Sequence, residues 1–179
     1  MKLVRLVALF VIIPFHCTLA NAGGRHKAQI EQTRFSAEDE RVEKPVEVPA
    51  DVLDLLKQDQ MVRNVLEDQS RPAHDLPVSW FSASAIHLGP TEETDLVVVG
   101  EPPLSGANTV TFWVFRSTAQ GYALVLTAPA HDLIVKGTRS FGVRDIEMLA
   151  TTAMQVHTVL FRFDGQQYKI YREKWEPIR

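Results

Sequence analysis

Apolar residues recur at three- and four-residue steps between residues 50 and 69, and this period predicts one amphipathic helix. The stripe consists of Val52, Leu55, Leu56, Asp59, Val62 and Leu66. Pro49 suits the first turn of a helix, and Pro72 ends the segment. We expect the stripe to pack against a sheet, and presentation of the stripe to a partner is the alternative.

From residue 80 onward the pattern changes to short runs rich in Val, Leu, Ile and aromatic residues, separated by turn signals. The clearest runs are residues 96–99, 111–115, 122–126, 133–135, 146–149, 158–163 and 168–171. Asp164-Gly165 between Phe163 and Tyr168 is a strong hairpin signal. The spacing predicts a mainly β fold of two four-stranded antiparallel meanders with one N-terminal helix, arranged as a sandwich, a barrel or propeller-like blades.

The two meanders resemble each other in sequence. Residues 95–99 match residues 145–149, Phe115-Arg116 matches Phe161-Arg162, and Tyr122 matches Tyr168. A single four-stranded meander has one apolar face and is not stable alone. We therefore expect the two units to close on each other and bury their apolar faces.

One strand pair of the first unit resembles the FG-GAP or VCBS type of β-propeller repeat. The likeness rests on Ser84-Ala85-Ile86-His87-Leu88, a polar turn, and Asp95-Leu96-Val97-Val98-Val99-Gly100, and it is weaker in the second unit. Members of that family often carry an aspartate-rich calcium loop, but residues 89–94 read Gly-Pro-Thr-Glu-Glu-Thr. The resemblance therefore implies blade-like strands, and the loop lacks the alternating aspartates that a calcium site of this family would use. The region from the helix to residue 179 also resembles uncharacterised bacterial exported proteins, which implies no activity.

The N-terminus has the three parts of a secretory signal. Lys2 and Arg5 precede an apolar run over residues 6–15, and Ala20-Asn21-Ala22 fits the cleavage rule, so residues 1–22 are predicted to be removed. A membrane-spanning helix needs about 20 apolar residues, which is more than this run contains. A lipoprotein acylated at Cys17 is the other alternative. We expect a periplasmic or extracellular protein without a stable membrane span after cleavage, and without cysteine.

Charge and composition define the remaining regions. Residues 23–48 mix charges of both signs with few apolar residues, which predicts a disordered linker, and residues 49–179 form one predicted domain. Removal of Lys2 and Arg5 leaves 17 basic and 22 acidic residues, a formal charge of −5. Nothing in this balance indicates a nucleic-acid partner.

Candidate catalytic and metal residues form no recognisable motif. The histidines have no metal-ligand spacing, no serine lies in a Gly-x-Ser-x-Gly elbow, and no glycine-rich phosphate loop is present, so neither cofactor nor metal is predicted. The alternative is a hydrolase of envelope material whose site is assembled from dispersed residues. Its candidate residues are His87, His131, His157, Asp132, Asp145, Glu92 and Glu101.

The function predicted from the sequence is a non-catalytic binding module that recognises a protein or an envelope polymer. Loops on a rigid sheet are common recognition sites, and residues 101–110 form the longest predicted loop. The candidate binding residues in that loop are Ser105, Gly106 and Asn108. Arg116, Arg139 and Arg144 are further candidates, because arginines in a sheet can line a site for an anion or carboxylate.

Overall fold

The computed structural model describes residues 31–40 and 42–178. The predicted signal peptide and residues 23–30 of the predicted linker lie outside the described residues. The helices are α1 (Ala50–Leu56) and α2 (Gln60–Asp68), with single 3-10 turns at Ala73–Asp75 and Val78–Trp80. The strands are β1 (Arg34–Ser36), β2 (Pro45–Val46), β3 (Phe81–Ile86), β4 (Asp95–Gly100), β5 (Val110–Thr118), β6 (Gly121–Ala130), β7 (Asp132–Ser140), β8 (Val143–Thr151), β9 (Gln155–Phe163) and β10 (Tyr168–Pro177).

The strands form two five-stranded antiparallel sheets. The first sheet has the order β2-β3-β4-β5-β6, and the second sheet has the order β1-β7-β8-β9-β10. Each sheet therefore contains one of the two predicted meanders, and the mainly β prediction is confirmed. The sheets do not close into a barrel, and their arrangement is compatible with a sandwich.

Each sheet gains its fifth strand from the segment that the sequence predicts to be a disordered linker. β1 pairs with β7, and β2 pairs with β3. Phe35, Val42 and Val48 are buried. Residues 31–40 and 42–48 are therefore ordered, contrary to the expectation of a disordered linker. Their scattered apolar side chains are buried, and their short strands pair with the edges of the two sheets.

The helical region is divided, whereas the sequence predicts one continuous helix. The Asp59 carboxylate accepts hydrogen bonds from the backbone N–H groups of Met61 and Val62, at 2.9 Å and 3.4 Å, and so caps the start of α2. A side chain that bonds these groups replaces the carbonyl partners of a continuous helix. The predicted apolar stripe is nevertheless buried at Val52, Leu56, Val62 and Leu66.

Two apolar clusters show that the fold has three layers. One cluster joins the helices to the first sheet, with Val52 and Leu56 in the same cluster as Trp113. The other joins the two sheets, with Phe112 of the first in the same cluster as Phe161 of the second. The first sheet is therefore covered on both faces, which explains why its strands are apolar on both sides.

The sequence repeat corresponds to repeated contacts. The Tyr122 hydroxyl donates to the carbonyl of Thr94 at 3.2 Å, and the Tyr168 hydroxyl donates to the carbonyl of Arg144 at 2.5 Å. In both units the tyrosine at the start of the fourth strand thus bonds the residue before the matched aspartate. Desolvation raises the pKa of Tyr168, which keeps its hydroxyl protonated as a donor.

Candidate functional site

Phe141 projects from the turn between β7 and β8. Its relative exposure is 79%, the largest of any large apolar residue that the structure describes. Ser140 pairs with Val143, which leaves Phe141 and Gly142 as a two-residue loop. Both have positive φ, 50° and 77°. These signs are those of a type I′ hairpin turn, in which the first position is usually Asn, Asp or Gly.

The backbone conformation at Phe141 is unfavourable for an aromatic residue. A side chain with Cβ costs about 1 to 2 kcal/mol in the left-handed region, and Asn tolerates that region better than Phe. An exposed ring recovers none of this cost by burial. The stability of the fold therefore gives no reason for a Phe at this turn position. Backbone strain in a fixed turn is a feature of functional sites.

Arg139 fixes the turn to a loop of the first unit. Its Nη1 donates to the carbonyl of Leu88 at 2.8 Å and to the carbonyl of Gly142 at 2.9 Å. The backbone N–H of Arg144 donates to the same Leu88 carbonyl at 2.9 Å. The hairpin is therefore attached at both of its strands to the end of the segment that follows β3.

Asp145 holds the hairpin from the other side. Its carboxylate is buried and accepts hydrogen bonds from the hydroxyls of Thr138 and Ser140, both at 2.7 Å. These bonds cross the hairpin immediately below the turn. With the bonds of Arg139, they hold Phe141 on a preorganised support, which lowers the ordering cost of any contact that the ring makes.

The three candidate arginines are not gathered at one place. The Arg144 guanidinium donates to the carbonyls of Val135 and Lys136 and to the Glu31 carboxylate. Arg116 lies 3.7 Å from Asp95 and over the ring of Phe163, between the sheets. Arg139 and Arg144 therefore support the hairpin that carries Phe141, and Arg116 lies in the contact between the two units.

The predicted binding loop lies at a small cavity. Ser105 and Gly106 line it together with Glu101 and residues of the N-terminal segment. Its volume is about 70 Å³. Ligand sites for ordinary small molecules measure about 300 to 1,000 Å³, so this cavity has room for water or a single small group. Asn108 is exposed on the same loop.

Among the dispersed catalytic candidates, His131 and Asp132 are in contact. Their Nδ1 and Oδ1 atoms are 3.0 Å apart, and Arg34 Nη2 is 2.7 Å from the other carboxylate oxygen. Burial raises the pKa of Asp132, but hydrogen bonds from Ser36 and His131 and the charge of Arg34 lower it, and the net shift is downward. Because Arg34 and Ser36 belong to β1, this cluster fastens β1 to β7.

The other catalytic candidates lie apart from this cluster. Glu101 accepts a hydrogen bond from the Ser82 hydroxyl at 2.7 Å, and His157 contacts Glu173 at 3.2 Å. His87 lies 3.4 Å from Glu31, and Asp145 is bonded within the β7–β8 hairpin. Each of these four candidates therefore has a local structural partner, and the remaining candidate, Glu92, is exposed in the segment between β3 and β4.

Within residues 31–40 and 42–178, no group of three or more His, Cys, Asp or Glu side chains could hold a metal ion. No helix within these described ranges has the length and apolar character needed to cross a bilayer. Comparisons with protein-family models, curated proteins and solved structures found no match to this chain.

Proposed function

We propose that this protein is an exported, non-catalytic binding module that recognises another protein, and that Phe141 is its anchor. The supporting observation is that Phe141 combines a strained backbone with an almost fully exposed ring, on a hairpin held by Arg139 and Asp145. Aromatic anchors that enter a partner's pocket carry much of the energy of protein interfaces. The predicted signal peptide supports the exported location.

The energetic balance favours this role for the ring. Complete burial of a Phe side chain contributes about 1.5 to 3 kcal/mol. The cost of about 1 to 2 kcal/mol for its left-handed backbone is already present in the free protein, so it does not reduce the energy gained on binding. The turn is already held in place before binding, so little additional conformational entropy is lost. A partner with an apolar pocket gains from this preorganisation.

Replacement of Phe141 by Asn separates binding from folding. Asn is favoured at the first position of a type I′ turn, so F141N should fold with equal or greater stability and should lack the anchor. Mature protein, residues 23–179, serves as bait in an envelope extract, and bound proteins are identified by mass spectrometry. We expect a specific partner to be captured by the wild-type protein and lost with F141N.

Met154 provides the matched control. It lies in the turn between β8 and β9 and is 77% exposed, so M154N removes a similar apolar side chain from another turn. M154N should retain the partner. Full retention of the partner by F141N, or equal loss with M154N, would overturn the assignment of Phe141 as the anchor.

A further inference from the structure

Trp175 on β10 has one ring face covered and the remainder open to solvent. It pairs with His157 of β9, and the two rings are stacked with centroids 3.8 Å apart and planes 5° apart. Trp175 is nevertheless 53% exposed, whereas Trp80 and Trp113 are buried. The exposed area therefore belongs to the opposite face and the edge of an indole that His157 holds in a fixed orientation.

A carboxylate lies beside this ring. Glu173 is two residues from Trp175 on the same strand, so both side chains are on one face of the sheet. His157 Nε2 is 3.2 Å from Glu173 Oε2. The imidazole therefore positions both the aromatic ring and the acidic group.

Backbone groups that pair with no strand among the described residues accompany these side chains. β10 is an edge strand of the second sheet. The N–H of Ile178 bonds the carbonyl of Met154 at 2.9 Å, and backbone bonds in an antiparallel pair alternate along the strand. Residues 174 and 176 therefore bond β9, and Glu173 and Trp175 direct their N–H and C=O groups to the free edge.

We propose that this edge of β10 binds a neutral pyranoside unit of a glycan, with the sugar ring stacked on Trp175. The apolar C–H face of a pyranose matches a flat indole, and its hydroxyls match the Glu173 carboxylate and the free backbone groups. The site is separate from the Phe141 hairpin and does not depend on the function proposed above.

The same edge is less suited to an added peptide strand. Pro177 follows the same alternation as Trp175, and a proline has no N–H to offer to a neighbouring strand. Lys169, Arg172 and Lys174 add exposed charge, and charges on edge strands oppose strand addition. A sugar needs few backbone bonds and makes no ladder, so these features do not disfavour it.

Tryptophan fluorescence of the mature protein tests this proposal. Because Trp80 and Trp113 are buried, acrylamide quenching reports mainly on Trp175. Triacetylchitotriose and cellotetraose are the probes, and calorimetry measures their affinity. We expect saturable protection from quenching by at least one of them. Binding measured by calorimetry should weaken at least about tenfold in W175A and about threefold or more in E173Q.

Tyr171 provides a matched aromatic control on the same strand. It is 56% exposed, but the guanidinium of Arg162 already lies over its ring at 3.5 Å. Y171A and F141N should bind the sugars as the wild type does, and W175F should recover part of the affinity. Absence of saturable binding of both sugars up to about 10 mM, or unchanged binding in W175A, would overturn the proposal. Protection of Trp175 by an extended peptide but by neither sugar would also overturn it.

Discussion

Replacement of Asp95 by Asn should destabilise the protein much more than the same replacement of Asp145, although the two residues are equivalent in the repeat. Asp95 is 2% exposed, and its two carboxylate oxygens accept hydrogen bonds from the backbone N–H groups of Leu88 and Ser117, both at 2.9 Å. A backbone N–H can only donate. In D95N one oxygen still accepts, but the new NH₂ group faces a donor.

The magnitude follows from the contacts that D95N loses. A hydrogen bond to a charged acceptor contributes about 1.5 to 3 kcal/mol, and a buried donor without a partner costs about 1 to 3 kcal/mol. These figures describe one contact and do not add, so about 3 kcal/mol is expected. Asp95 and Arg116 are 3.7 Å apart, beyond the distance of a direct hydrogen bond, so the loss of their attraction is the smaller contribution.

Asp145 has partners that tolerate an amide. Its oxygens accept from the hydroxyls of Thr138 and Ser140, and a hydroxyl rotates to become an acceptor when it faces an NH₂ group. Arg162 lies 3.9 Å from Asp145 and is exposed enough for solvent to screen the pair. We expect D145N to cost about 1 kcal/mol or less.

Urea unfolding of the two variants and the wild type, monitored by circular dichroism, measures this difference. The free energies of unfolding should differ by about 2 kcal/mol between D95N and D145N, with equal dependence on urea in all three proteins. Values for D95N and D145N within about 0.5 kcal/mol of each other would refute the reasoning from fixed backbone donors.

Two other contacts lead to separate expectations. The folded-state pKa of Asp132 is below its ordinary value of 3.8, so its stabilising contribution is present above that pH and is lost as the pH falls through the folded value. The urea concentration at the unfolding midpoint should therefore decrease as the pH is lowered below about 4, and it should decrease less steeply in D132N. Equal dependence of the midpoint on pH in the two proteins would contradict the assignment. D59A should lower the free energy of unfolding by about 1 kcal/mol through loss of the α2 cap. D54A removes only an exposed pair with Lys57 and should change the free energy of unfolding by less than about 0.5 kcal/mol. Thermal unfolding measures both variants, and similar losses in D59A and D54A would count against the cap.

Periodicity predicted the long elements because their burial is regular. The helical stripe and the alternating strands beyond residue 80 have many residues per element, so each pattern is repeated. β1 and β2 contain three and two residues, which is too short for a period. They are strands because they meet the edges of β7 and β3, which are distant in sequence. Asp59 shows a similar limit, because it fits the helical stripe and also caps a helix.

The candidate site was only partly visible in the sequence. A glycine such as Gly142 between two strand-like runs is typical of a turn, but turn statistics favour Asn or Asp rather than Phe before such a glycine. The positive φ of Phe141 therefore appears only in the folded hairpin. The charge of Arg139 and Arg144 predicts an anion site, whereas their main partners are backbone carbonyls. One of these, Leu88, is about 50 residues away, and no local pattern indicates it.

The polar outer face of the second sheet explains why the two packed sheets need no third sheet to cover them. In the first unit, Val97, Phe112 and Leu126 face the second sheet and are buried. The matched positions of the second unit are Glu147, Thr158 and Arg172, which line the outward face.

Terminal units of stacked repeats have such a polar outer face, because no further unit covers it. That face therefore offers no extended apolar surface to a further sheet. The exposed aromatic groups to which we assign binding, Phe141 and Trp175, lie instead at a hairpin turn and a strand edge of this terminal unit. Neither ring belongs to the buried core, so replacing either one should change binding with little loss of stability.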